Sequence, residues 1–237
     1  MATLAKHLAS ARRPFEGLLL LPVAIFIAVA FLALGYVAHI LWPRWPEAPV
    51  AADAPALPIV VAGVLFNIPP AAIRVPVQRR AGVQERLDLV YLWPTLTPPD
   101  PQARLSLDSP LLTGDRIFVT VAASGGTLSP GERLKLIYPR YMQAPAMLGP
   151  DGLTLATFQE TSPYRGEDLV YDAAATDRFL ARCTRNGKGP TRGSCLAERR
   201  LGEADITVRF PSDWITNWRQ VADAIDRLVA QMRPVRE

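Results

Sequence analysis

With 237 residues, 49% of them hydrophobic and 20% charged, and a formal net charge of +4, the chain has a globular rather than a disordered composition and room for one large domain or two small ones. It carries two histidines, His7 and His39, and two cysteines, Cys183 and Cys195. Beyond residue 39 this excludes a His-dependent catalytic triad, a Cys–His pair and a His-based zinc site.

The first element is the run at 17–42, GLLLLPVAIFIAVAFLALGYVAHILW, which has no acidic or permanently charged side chain. As a helix it would extend about 39 Å, enough to cross a hydrocarbon core of about 30 Å with some tilt. Pro22 and Gly35 are tolerated in membrane helices. A cleaved signal peptide would have an apolar core of only about 7–15 residues, and a cut at Ala28-Val29-Ala30 would split the run. No cysteine adjoins the segment, which argues against a lipoprotein. Lys6, Arg12 and Arg13 precede the span against Glu16 alone, while Tyr36, Trp42 and Trp45 gather at its far end. By the positive-inside rule, residues 1–16 form a cytoplasmic tail, 17–42 an uncleaved anchor in the lipid bilayer, and the rest lies outside. His39 reads as an interfacial side chain.

Residues 43–58, PRWPEAPVAADAPALP, hold five prolines in sixteen positions and read as an extended linker. From 59 to 237 the signals are those of one extracytoplasmic domain, mostly of strands. IVVAGVLF (59–66) is a short apolar run bounded by prolines; RLDLVYLW (86–93) alternates and ends at Pro94. DRIFVTVAA (115–123) leads through SGGTLSPGE into RLKLIY, which reads as a hairpin with a long Gly/Pro turn. A second hairpin pairs LTLATFQE (153–160) with EDLVYD (167–172), and DITVRF (205–210) is the last strand. TPPDPQ (97–102) and QAPAMLGPDG (143–152) are loops. At the C-terminus Trp214, Ile215, Trp218, Val221, Ile225, Leu228, Val229 and Met232 share one helical face, with Ser212 as the expected cap. The expected class is α+β: one transmembrane helix, then a mainly antiparallel sheet with a C-terminal amphipathic helix packed on it.

Cys183 and Cys195 lie twelve positions apart without Cys-x-x-Cys spacing and without further ligands for zinc. Outside the cytoplasm such a pair forms a disulfide. Around it, residues 178–200 carry seven basic side chains (Arg178, Arg182, Arg185, Lys188, Arg192, Arg199 and Arg200) against Glu198 alone, a net of +6. The domain and linker together are only +2, so everything else outside sums to −4. Two readings stay open. The loop is a solvated, arginine-rich segment of a GC-rich genome, or Arg182, Arg185, Lys188, Arg192, Arg199 and Arg200 bind an anion such as a phospholipid headgroup, an envelope polymer or an acidic protein patch. Nucleic acid is not expected outside the cytoplasm.

Catalytic groups are scarce. Gly-Lys-Gly-Pro-Thr at 187–191 lacks phosphate-loop spacing, and Ser129 and Lys135 match no Ser-x-x-Lys motif. Glu160, Glu167, Asp168 and Asp172 flank the second hairpin, where a carboxylate pair in a cleft would serve glycoside hydrolysis; scattered acids on a hairpin are more often solvated. No metal or cofactor is expected.

The run at 68–94, IPPAAIRVPVQRRAGVQERLDLVYLWP, resembles part of a group of single-pass Gram-negative envelope proteins in which an "IP…IR…QR…ER.DL…WP" run is followed by two cysteines and a Trp-containing C-terminal helix. The resemblance implies a bacterial inner-membrane location with the main domain in the periplasm; it carries no assigned activity and no site residues. The reading the sequence favours is a non-enzymatic, membrane-anchored module that binds another envelope protein. A toxin-neutralising protein would be a special case of it, which no residue singles out. Anionic lipid or polyanion binding through 178–200 is the alternative, and a carboxylate-dependent hydrolase the third.

Overall fold

The computed structural model describes residues 16–41, 50–51, 53–100, 115–185 and 193–234. The chain divides into two compact units, Met1–Glu47 and Ala48–Glu237. The first contains helix α1, Glu16–Leu41, of which Leu21–Ile40 is long and apolar enough to cross a membrane. Its large side chains point outward on every side; Phe26, Phe31 and Leu32 are each more than 70% exposed. A helix apolar all round its circumference has no polar face to give to water, the pattern of a buried or membrane-crossing helix.

The second unit is α+β. A small sheet is formed by β1 (Leu57–Val61), β2 (Val64–Ile68) and β3 (Gly82–Val83) in the order β2-β1-β3. The stretch 59–66, read from sequence as one apolar run, is interrupted by a turn. Ala62 and Gly63 both take positive φ, 49° and 78°, the conformation that closes a two-residue hairpin. The dipeptide is Ala-Gly rather than the usual Asn-Gly, which hid the turn.

The large sheet has eight strands: β4 (Arg86–Leu92), β5 (Arg116–Ala123), β6 (Met147–Leu148), β7 (Thr154–Thr157), β8 (Glu167–Tyr171), β9 (Leu180–Thr184), β10 (Ser194–Leu201) and β11 (Ala204–Pro211). Their order is β4-β5-β11-β10-β9-β8-β7-β6, antiparallel throughout. The register sets one row across seven strands: Leu89, Val119, Val208, Ala197, Ala181, Val170 and Leu155. Apart from the half-buried Leu155, these side chains are buried in the main core. The same core takes Ile59, Val61, Phe66 and Ile68 from the small sheet and Trp218, Val221, Ile225, Leu228 and Met232 from helix α3 (Trp218–Met232). One face of the large sheet is thus covered by the small sheet and α3. The periodic apolar stripe lies on the buried side of the helix, as its spacing requires. The α-helix itself starts at Trp218; Ser212–Asn217 is a 3₁₀ segment that brings Trp214 to 4.5 Å from Trp93, so Ser212 is not the cap.

Two further segments differ from the sequence reading. RLKLIY is not a strand: Pro130–Leu136 is helix α2, started by a capping box in which Ser129 and Glu132 satisfy each other's backbone N–H, with Pro130 in the first turn. That Ser-Pro-Gly-Glu signature favours a helix start over a hairpin turn. Helix α2 and the 3₁₀ turn Tyr138–Arg140 cover a second, smaller core of Tyr138, Ala156, Phe158, Leu169 and Leu180. And residues 178–200 are not chiefly a loop, since β9 and β10 pair there with Cys183 opposite Cys195, joined by the disulfide.

The bridge links paired strands across a short loop, so its removal should cost about 3 kcal/mol. Urea unfolding of the full chain in detergent should show that loss in C183S/C195S, and in the parent when reductant is added; unchanged midpoints would mean the strands alone hold the register.

Candidate functional site

The segment read as a basic loop carries its charge on a sheet, where each described arginine meets a carboxylate from elsewhere. Arg182 donates to Glu167 at 3.0 Å and stands 3.7 Å from Glu198, with its guanidinium 5.5 Å from the centre of the Tyr164 ring. Arg185 contacts Glu160 at 2.8 Å and Asp168 at 3.4 Å, the second too poorly aligned for a hydrogen bond. Arg199 pairs with Asp226 of α3 at 3.0 Å and donates to the carbonyl of Arg178. Arg200 pairs with Asp205 at 2.7 Å and donates to the carbonyl of Thr127. Arg178 reaches Asp223 at 3.0 Å. Lys188 and Arg192 lie outside the described residues.

These pairs also account for the carboxylates. Glu160, Glu167 and Asp168, the candidate acids of the second hairpin, are the partners of Arg185 and Arg182, and Asp172 accepts from the backbone N–H of Ala174. The −4 outside the segment and the +6 within it therefore largely meet. Burial pulls the Arg182 pKa down, but Glu167 and Glu198 outweigh it and hold the guanidinium above its ordinary value. Among the described residues, no three His, Cys, Asp or Glu side chains come together as a metal site.

The opposite face of the large sheet is divided. At the β7–β9 end it is covered by α2 and its aromatic cluster; at the β4–β5–β11–β10 end it carries a groove of about 400 Å³ lined by Arg74, Arg86, Asp88, Phe118, Thr120, Leu196, Thr207 and Arg209. Strand alternation sends the side chains from β4, β5, β10 and β11 away from the core, and Arg74 joins them from the bend after the Ile73–Leu89 bridge. One row across the strands is Asp88, Thr120, Thr207; the next is Phe118, Arg209, Leu196.

Asp88 organises the groove wall. Its carboxylate, 15% exposed, accepts two parallel bonds from Arg86 at 2.9 Å, one from Thr120 Oγ1 at 2.9 Å and one from Gln78 Nε2 at 3.2 Å. Gln78 returns its carbonyl to the Asp88 N–H at 2.9 Å. The bond from Arg86 is the largest of the effects that lower the Asp88 pKa to about 2. Arg86 is thus held rigidly while its side chain stays 60% exposed, with donors left over. Arg74 lies with its guanidinium 4.7 Å above the Phe118 ring. Neither Arg74 nor Arg209 has a carboxylate within ion-pair distance among the described residues. A second groove of about 470 Å³ adjoins, sharing Arg86 and adding Val77, Arg80 and Val83. Sequence reasoning missed this face. Its one sequence signal was the polar phase of RLDLVYLW and DITVRF, and joining those phases needs the strand order.

Chemically the face presents fixed positive charge and hydrogen-bond donors beside apolar side chains. Its one well-placed carboxylate is ionised at any ordinary pH and fully hydrogen-bonded, so it is not poised to move protons.

No family model and no curated protein matches the sequence. Among solved structures, the chain is similar to Smlt3025, an immunity protein of the Stenotrophomonas maltophilia type IV secretion system, at a TM-score of 0.55 and 13% identity over 76% of this chain and 94% of that one. It also aligns with the Neisseria meningitidis iron-regulated outer membrane lipoprotein FrpD, at a TM-score of 0.44 and 14% identity over 77% and 96%. The first likeness is one of fold.

Replacing Arg182 with Ser strands Glu167 in a half-buried site and leaves Glu198 to Arg133 alone, and should cost about 3 kcal/mol in urea unfolding; a loss below that of an exposed pair, about 1 kcal/mol, would contradict a structural role. Asp88 has its pKa lowered on folding, so its contribution is complete above about pH 4 and fades as the pH falls towards 2. Asp88→Asn should lose about 1–3 kcal/mol at neutral pH, with the gap to the parent closing in acid. A gap that persists at low pH would count against the ion pair as its source.

Proposed function

We propose that the chain is a membrane-anchored, non-enzymatic module of the bacterial envelope, with residues 1–16 cytoplasmic, 17–42 across the inner membrane, a stand-off linker from 43 to the start of β1 at Leu57 and a periplasmic domain that binds another envelope protein. The observation that carries it is the fate of the carboxylates. Glu160, Glu167 and Asp168 are engaged by arginines and Asp172 by the Ala174 N–H, whereas an arginine-lined sheet face, uncovered by any described element, is left for a ligand. The length and all-round apolarity of α1 support an anchor over a signal peptide, and the basic residues before it support the orientation. Anionic lipid or polymer binding through 178–200 is less favoured, because five of its seven basic side chains hold carboxylates.

A narrower reading draws on the fold it shares with Smlt3025, an immunity protein: the bound protein is a toxin that the domain neutralises. Neutralisation by covering the toxin would need a binding face and no chemistry of the domain's own, and the arginine-lined groove offers such a face.

Tagged full-length chain, captured from a detergent extract of its own envelope, should return one reproducible exported or membrane protein. Nothing above background, with or without crosslinker, would overturn the binding reading. In the narrower reading a strain lacking the gene is killed when grown in contact with its parent, and unimpaired coexistence would leave protein binding without toxin neutralisation.

A further inference from the structure

The two adjoining grooves supply the chemistry of the bound partner. Across them run Arg74, Arg80, Arg86 and Arg209 against two carboxylates, Asp88 and Glu85. Asp88 is spent in holding Arg86, and Arg74, Arg80 and Arg209 have no carboxylate at ion-pair distance among the described residues. At β9 and β10 the fold supplies a carboxylate to each described arginine; in these grooves it supplies one to Arg86 alone. Between them the surface is apolar: Val77 is 66% and Val83 80% exposed, and the half-buried Phe118 and Leu196 line the floor. Arginine and aromatic side chains beside exposed aliphatics make the composition of a protein-binding surface. A single phosphate-sized ligand would occupy one groove and leave the valines bare. An extended chain alternating acidic and apolar residues would fill both, since its side chains point to opposite sides in turn.

We propose that this face receives an acidic segment of the partner protein, with carboxylates on Arg74, Arg86 and Arg209 and apolar side chains on Val77 and Val83. The inference rests on the protein-binding reading above and adds the surface and the partner's chemistry. Asp88 contributes by fixing the Arg86 guanidinium before the ligand arrives, which lowers the ordering cost of binding.

The test uses the full chain in non-ionic detergent and a fluorescent peptide of alternating Glu and Leu, followed by anisotropy. The double variant R74S/R209S, whose altered side chains are exposed, should bind about tenfold more weakly, and added salt should weaken binding by the parent. The variant K188S/R192S should bind like the parent. If R74S/R209S binds as tightly as the parent, or if K188S/R192S carries the loss instead, the inference is overturned. Phosphatidylglycerol vesicles form a second arm. If they displace the peptide from the parent and the groove variant no longer floats with them, the ligand is a lipid surface and the inference fails. A third arm places a photo-crosslinking phenylalanine analogue at Leu196 in the envelope capture. An adduct with the captured protein is expected. Capture without an adduct at Leu196, but with one from an analogue at the exposed Ala173, would sink the docking surface while leaving partner binding intact. Capture of nothing would sink both.

Discussion

The antiparallel contact between β5 and β11 is the joint on which the domain depends. It brings residues 118–123 against 204–209 and so fuses the β4–β5 pair to the block running from β10 to β6. The apolar row from Leu89 to Leu155 is continuous only because these two strands meet in register. The core that α3 and the small sheet close over is built on that row. A slip of one residue would turn Val119 and Val208 to the outside and bring Thr120 and Thr207 in, so the burial that stabilises the core also sets which side chains face outward.

The outward face is where the two halves of the sheet part ways. Around β8, β9 and β10 the polar phase contains arginines and glutamates on neighbouring strands, which satisfy one another under the aromatic ring of Tyr164. There the charge is structural, tying α2 through Arg133 and Glu198, and α3 through Arg199 and Asp226, to the sheet. Around β4, β5 and β11 the same phase holds threonines, one aspartate and arginines in excess, with none of the described elements packed over them. Composition alone makes the two regions look reversed: five of the seven basic side chains of 178–200 hold carboxylates, and the face where Arg74 and Arg209 meet none among the described residues comes from stretches with a less concentrated charge.

Much of the fold was legible because its signals are local. The apolar length of 17–42, the three- and four-residue spacing of Trp218 to Met232 and the alternation in 205–210 each specify an element without reference to the rest. The misses have local causes too. Ala62 in a left-handed conformation concealed a hairpin; Ser129 and Glu132 formed a capping box inside what looked like a turn; and the arginines of β9 and β10 masked an alternating strand pattern, since a guanidinium on a sheet face is stable only with the glutamates that other strands bring. The disulfide was expected from the cysteine count and spacing together with an extracytoplasmic reading of the chain. The groove did not, because Arg74, Arg86, Phe118 and Arg209 come from distant parts of the chain and converge only through the strand order β4-β5-β11.

The four hydrogen bonds to Asp88 have a further consequence for how the face responds to its surroundings. With that carboxylate ionised down to about pH 2 and guanidiniums protonated at any accessible pH, the electrical character of the face is constant across the range a living cell meets. Any carboxylate ligand, with ordinary acidity near pH 4, would lose its charge first. The acid limit of such an association would be written into the visitor and not the host, making this a surface that reads the ionisation of what it touches while its own stays still.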